Sequence, residues 1–139
     1  MKRQKNENGF TLLELIIVVT IIGIISAAIV PQFMVLNKRT RLRVDVDSVK
    51  TLQDQINLYY QEVDDMPGHN LNEVISTLVE KEYIDERYID MPNQTIYLET
   101  SEAEVIYDEA IGQVKLKVTP ELYNLYLEEK DKESWLVSS

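Results

Sequence analysis

A chain of 139 residues with 14 basic and 24 acidic side chains has room for one domain with accessories, and its net charge of −10 disfavours phosphate-rich partners such as nucleic acid. The absence of cysteine excludes a disulfide framework, a thiolate metal site and a thiol nucleophile. The charge is unevenly placed. Lys2, Arg3 and Lys5 stand near the start, Lys38, Arg39, Arg41 and Arg43 form a cluster without an acid, and residues 44–139 carry 7 basic and 22 acidic side chains.

Residues 1–9 are too short and polar to fold alone. Gly9–Val30 follows, an apolar run whose one charge is Glu14. As a helix, Phe10–Val30 rises about 30 Å, the thickness of a bilayer's hydrocarbon core. Three readings fit a basic leader before such a run. One is a secretory signal, for which Ser26-Ala27-Ala28 would serve as the small-residue cleavage site. The length of the run and the charge of Glu14 argue against it. A second is an uncleaved anchor helix. The leader's basic residues favour cytoplasmic retention, but the cluster at 38–43 leaves orientation open.

The third reading rests on a resemblance. Gly9-Phe10-Thr11-Leu12-Leu13-Glu14-Leu15, after a basic leader and at the head of a membrane-length run, resembles the cleavage and methylation motif of type IV pilins and type II secretion pseudopilins. The resemblance implies a cytoplasmic leader, cleavage by a membrane prepilin peptidase between Gly9 and Phe10, and N-methylation of Phe10. A residue without Cβ at position 9 lets the backbone extend into a crowded protease site. The resemblance further implies that Glu14 neutralises the free amine of a neighbouring Phe10 when subunits stack. A carboxylate in a bilayer is costly, and such a pair is strong only when both partners are present. A plainer account is that Glu14 snorkels to the interface. Gly23 and Pro31 stand where the family places helix-weakening residues, which implies loosening between bilayer and filament; a mild kink without a role is the alternative.

Beyond Leu36 the pattern becomes amphipathic. Leu42, Val46, Val49, Leu52, Ile56, Tyr59 and Val63 recur at helical spacing, and no glycine or proline interrupts residues 32–65. The spacing predicts one helix over residues 10–63, roughly 80 Å long. Arg41 with Asp45, Arg43 with Asp47 and Lys50 with Asp54 are expected as i,i+4 pairs. A coiled coil would also use this spacing, but the seam is short, and packing on the chain's own C-terminal part is preferred. The basic cluster faces lipid head groups, acidic faces of neighbours, or only solvent.

Residues 64–139 read as a small head. Pro67-Gly68 is a turn, Asn70-x-x-Glu73 a capping box, and 71–82 a short helix. Tyr83-Ile84 and Tyr88-Ile89 lie in a linker ending at Met91-Pro92-Asn93. Strands are expected at Thr95–Glu99, Glu104–Asp108 and Gln113–Val118, the last two as a hairpin, with Val114, Leu116 and Val118 on one face. The stretch from Val105 to Val114 also resembles the strand–turn–strand of pilin heads. An antiparallel sheet of three strands laid across the helical stripe would bury both. Thr119-Pro120-Glu121 opens a last helix, with Leu122, Leu125 and Tyr126 as its apolar edge. Trp135-Leu136-Val137 packs on the head or on a neighbour.

No constellation for catalysis or a cofactor stands out. His69 lacks a partner in sequence reach, and the loop pairs Asp64-Asp65, Asp85-Glu86 and Asp108-Glu109 lack calcium-loop spacing. There is no phosphate loop, nucleophile elbow or dinucleotide fingerprint. The chain departs from its relatives in lacking the cysteine pair of many pilins and a clear match to the pseudopilin calcium loop. The expected fold is α+β and pilin-like. Its parts are a leader (1–9), a transmembrane or filament-core helix (10–30), an amphipathic continuation (31–63) and a small antiparallel head (64–139). The resemblance implies a non-enzymatic, cofactor-free structural subunit. Its partners would be copies of itself in a helical filament, minor pilins, prepilin peptidase, a membrane platform with its ATPase, and lipid before assembly. It would leave the cell membrane for a surface or periplasmic filament. The alternative is a single-pass anchored binding or sensor module with an acidic extracytoplasmic head.

Overall fold

The apolar run and the amphipathic stripe form one helix, α1, Leu12–Val63, of 52 residues. The computed structural model describes residues 9–139, so the basic leader lies outside the described residues. The chain divides into two units, Met1–Leu36 and Asn37–Ser139. In the first unit every residue from Gly9 to Leu36 is exposed. By length and composition this part of α1 is able to cross a membrane. Thr20 fits the apolar run by donating its hydroxyl to the Ile16 carbonyl, 2.7 Å away.

In the second unit the stripe does what its spacing predicts. Leu42, Val46, Val49, Leu52, Ile56 and Tyr59 are buried against the head, whereas Val63 is half-exposed, because α1 ends there. Asp64 takes a φ of 56°, and its amide closes the last turn onto Tyr60. Two polar residues are buried in the same helix. The carboxylate of Asp45 accepts the amides of Glu99 (2.6 Å) and Thr100 (2.9 Å). The amide of Gln53 accepts from the Val114 N–H (2.8 Å) and donates to the Gly112 carbonyl (3.0 Å). Both satisfy loop backbone that the core would otherwise strip of water.

The head begins with α2, Leu71–Glu80, which buries Val74, Ile75 and Leu78. Asn70 accepts the Glu73 amide at 2.9 Å, as a capping box requires, but the Glu73 carboxylate returns to the His69 amide. A 3-10 turn, Glu86–Tyr88, leads to β1, Ile89–Asp90. The strand expected over 95–99 shrinks to β2, Thr95–Ile96, and pairs with β1 alone. Asp45 captures the amides of Glu99 and Thr100, so they are not available to a ladder.

The main sheet has three strands. Strands β3, Ala103–Asp108, and β4, Gln113–Val118, form the expected antiparallel hairpin, with Val105 opposite Leu116. Val114, Leu116 and Val118 are buried on one face. The hairpin turn needs Gly112. Its φ is 63°, and a Cβ there would lie 2.0 Å from Cε of Met66. The third strand corrects the expected antiparallel arrangement. It is β5, Leu136–Ser138, and it runs parallel to β4. Helix α3, Pro120–Leu125, starts at its expected cap, with Thr119 accepting the Leu122 amide. Helix α4, Glu129–Trp135, supplies the crossover that a parallel pairing requires. The result is a long helix followed by a small α+β head with mixed sheets.

The expected i,i+4 ion pairs give way to longer reaches. Arg43 pairs with Glu128 (2.9 Å), Lys50 with Asp131 (2.8 Å), and Lys38 with Glu121 (3.1 Å). Asp45 serves backbone instead of Arg41, whose Nε donates to Asn37 Oδ1 at 3.0 Å. These pairs tie the C-terminal helices to α1, where the acidic residues of α3 and α4 meet the basic cluster.

Candidate functional site

Of the residues singled out in the sequence, Gly9, Phe10 and Glu14 lie at the start of α1, whereas Gly23 and Pro31 lie further along it. Phe10 is 90% exposed, and the helix begins one residue after Thr11. Thr11 and Glu14 form a reciprocal cap. The Glu14 amide donates to Thr11 Oγ1 at 3.2 Å, and the Thr11 amide donates to Glu14 Oε2 at 3.0 Å. Two of the four amides that a helix start leaves without partners are thereby satisfied. The carboxylate also sits where the helix's positive end favours it. Within the single chain, Glu14 is therefore a helix-starting residue as well as a charge in an apolar run.

Thr11 was not singled out from the sequence, although Thr-x-x-Glu before an apolar run is the signature of this cap. Gly9 has open surroundings, since a Cβ there would meet nothing within 4 Å. The chain's own packing gives no reason for glycine at that place. The same holds for Gly23. Pro31 lies inside α1, and the helix continues through it. Its ring nitrogen carries no hydrogen, so the carbonyl one turn earlier, that of Ala27, lacks its usual donor.

No second chemical centre emerges in the head. Among the described residues, no three His, Cys, Asp or Glu side chains converge as a metal site would need. His69 does have a partner, in contrast to its sequence reading. Its Nδ1 lies 2.8 Å from Glu109 Oε1, across from the β3–β4 turn. That hydrogen bond and the Glu109 charge raise the imidazole above its ordinary pKa. Asp85 caps the 3-10 turn, and its ion pair with Arg87 holds its carboxyl below the usual range. Tyr126 is pushed up to about 12, first by burial and then by the Asp131 charge. The His69 contact joins the start of α2 to the β3–β4 turn, and the Asp85 pair is local to its own turn.

Comparison with known proteins places one match at this same end of the chain. The family described as the prokaryotic N-terminal methylation motif matches residues 4–30. The type II secretion system core protein G of Pseudomonas aeruginosa is 28% identical over 79 residues, covering 57% of this chain and 54% of that protein. Two fimbrial proteins of Pseudomonas aeruginosa are each 47% identical over 53 residues, 38% of this chain and 32% of theirs. The chain thus spans about half the length of the first relative and about a third of the other two. No solved structure gives a significant match. The chain carries a prokaryotic N-terminal methylation motif at residues 4–30, at the head of a long helix and small α+β head, and is similar to a secretion-system core protein and to fimbrial proteins.

Proposed function

We propose that this chain is a structural, non-enzymatic subunit of a type IV pilus-like or type II secretion-like filament. The observation that carries the reading is the methylation motif on a helix whose first 25 or so residues are apolar and wholly exposed. Such a surface needs lipid before assembly and other subunits afterwards. The chain is anchored through α1 with residues 1–9 in the cytoplasm and the acidic head outside. Prepilin peptidase cuts between Gly9 and Phe10, and Phe10 is N-methylated. A Cβ at Gly9 would meet nothing within 4 Å, so the position is open to a peptidase site.

Cleavage creates an amine at Phe10. In the filament, the carboxylate of Glu14 pairs with the amine of a neighbouring subunit's Phe10. One of its oxygens is engaged by the Thr11 amide, which fixes the side chain's direction. The desolvated amine and carboxylate stabilise the stack only together, so processing and polymerisation are coupled. Gly23 and Pro31 mark the part of the helix that loosens as it moves from bilayer to filament. Copies of the chain, minor pilins and a membrane platform with its ATPase are the partners. No cofactor is required, and no nucleic acid is bound directly.

Shearing cells that possess the assembly apparatus, followed by electron microscopy and immunolabelling of the sheared fraction, tests this. Labelled filaments are the expected result. A chain found only as dispersed membrane copies in such cells contradicts the proposal and favours an anchored binding module.

A further inference from the structure

Among the described residues, two of the four side chains of the basic cluster form ion pairs. Lys38 and Arg43 are matched by Glu121 and Glu128. Arg41 makes no ion pair among the described residues; its Nε meets only the neutral Asn37 amide, and the side chain is exposed. A guanidinium offers five N–H donors in a planar fork, most of which are here unused.

The head holds a cleft of complementary chemistry. It lies between the start of α2, the β1–β2 turn and the first half of β3, with a volume of about 500 Å³. Asp90 and Glu104 supply carboxylates. Thr95 and Thr100 line the same cleft, and both hydroxyl oxygens are buried without a hydrogen-bond partner. Leu71 and Leu98 add apolar wall suited to a methylene stem. The existing engagements of the carboxylates leave capacity. Asn93 occupies one oxygen of Asp90, and Glu104 meets Lys117 only at 3.7 Å between exposed groups. Two carboxylates exclude phosphate and other anions from this cleft. Two carboxylates at one cleft, with two hydroxyl side chains among its lining residues, fit a planar cation that donates in several directions.

We propose that this cleft receives the Arg41 guanidinium of a second copy of the chain. The inference rests on the filament reading and adds a specific contact to it. The cluster at 38–43 follows directly on the exposed apolar helix in the sequence, and its charge is complementary to that of the cleft, so a second copy of the chain supplies both partners. Across the interface, the pair supplies orientation and register, while the apolar helices supply the bulk of the attraction.

The absence of native cysteine makes the test direct. Two chains are co-expressed in assembling cells, one carrying Arg41→Cys and the other Glu104→Cys. A link between those thiols joins different copies only. The ends of two long side chains meet with their Cα atoms too far apart for a disulfide, so a bis-maleimide reagent of about 10 Å span is applied to sheared filaments; it is expected to give the mixed cross-link, with none when Glu133→Cys, exposed on α4, replaces Glu104→Cys. Arg41→Glu is expected to lower filament yield about tenfold, and adding Glu104→Arg to the same chain is expected to restore it. Filaments that form normally with Arg41→Glu and show no 41–104 cross-link overturn this inference and leave the filament reading standing. Failure of the unsubstituted chain to form filaments overturns both.

Discussion

Thr11 and Glu14 each hold the other's amide, at 3.2 and 3.0 Å, so the residue expected to bind a neighbour's amine also starts its own helix. The two roles are separable by substitution. Glu14→Gln keeps an acceptor for the Thr11 amide and removes the charge. Thr11→Ala removes half of the cap and keeps the charge. The first should leave helix content unchanged and abolish filaments while allowing processing. The second should cost about 1 kcal/mol of helix stability and leave filaments in place. Circular dichroism in detergent and the yield of sheared filaments check the two arms independently.

Asp45 is fully buried and accepts two loop amides, so its loss strands both. Asp45→Ala is expected to destabilise the head by about 3 kcal/mol, and Asp45→Asn by less, since its one carbonyl oxygen still accepts. Denaturant unfolding of the detergent-solubilised chain measures the difference. Hydrogen exchange should rise first at Glu99 and Thr100.

Gly112 and Met66 compete for one place. Gly112→Ala both strains a backbone at φ 63° and drives a Cβ to within 2.0 Å of the methionine methyl. A loss of about 2 kcal/mol is expected. Adding Met66→Ala should recover the steric part and leave the backbone part. Additive losses in a double-substitution cycle would contradict this account.

The His69–Glu109 contact gives the head a modest pH response. Its folded pKa is raised, so the contact's contribution is fully present below the imidazole's ordinary value of 6.5 and is lost as pH rises through the folded value. NMR titration should find His69 above 6.5, and Glu109→Gln should bring it back towards that value. Both groups are exposed, so added salt should shrink the shift.

The long helix was legible because a single periodicity runs through it, and the α3 cap because threonine, proline and glutamate each have one natural place there. Asp45 and Gln53 were not, since a polar residue beside a buried stripe reads as solvated until the loop it serves is known. The three residues of β5 follow the charged run of α4, and nothing local in so short a strand signals a parallel pairing. Arg43 and Lys50 have acids one turn away in the sequence, whereas the start of α4 brings them Glu128 and Asp131 from 81 and more positions along the chain. At the candidate site, the roles of Gly9, Phe10 and Glu14 rest on the resemblance that their order carries. Thr11 needed only the capping rule applied to the same stretch.

The central claim is that this chain is cut after Gly9 and becomes a subunit with a methylated Phe10. Intact mass spectrometry of the protein extracted from cells with the assembly apparatus tests it most directly. The account predicts a mass lower by residues 1–9 and higher by one methyl group. Recovery of the chain at full length, or beginning near Ile29, would contradict it.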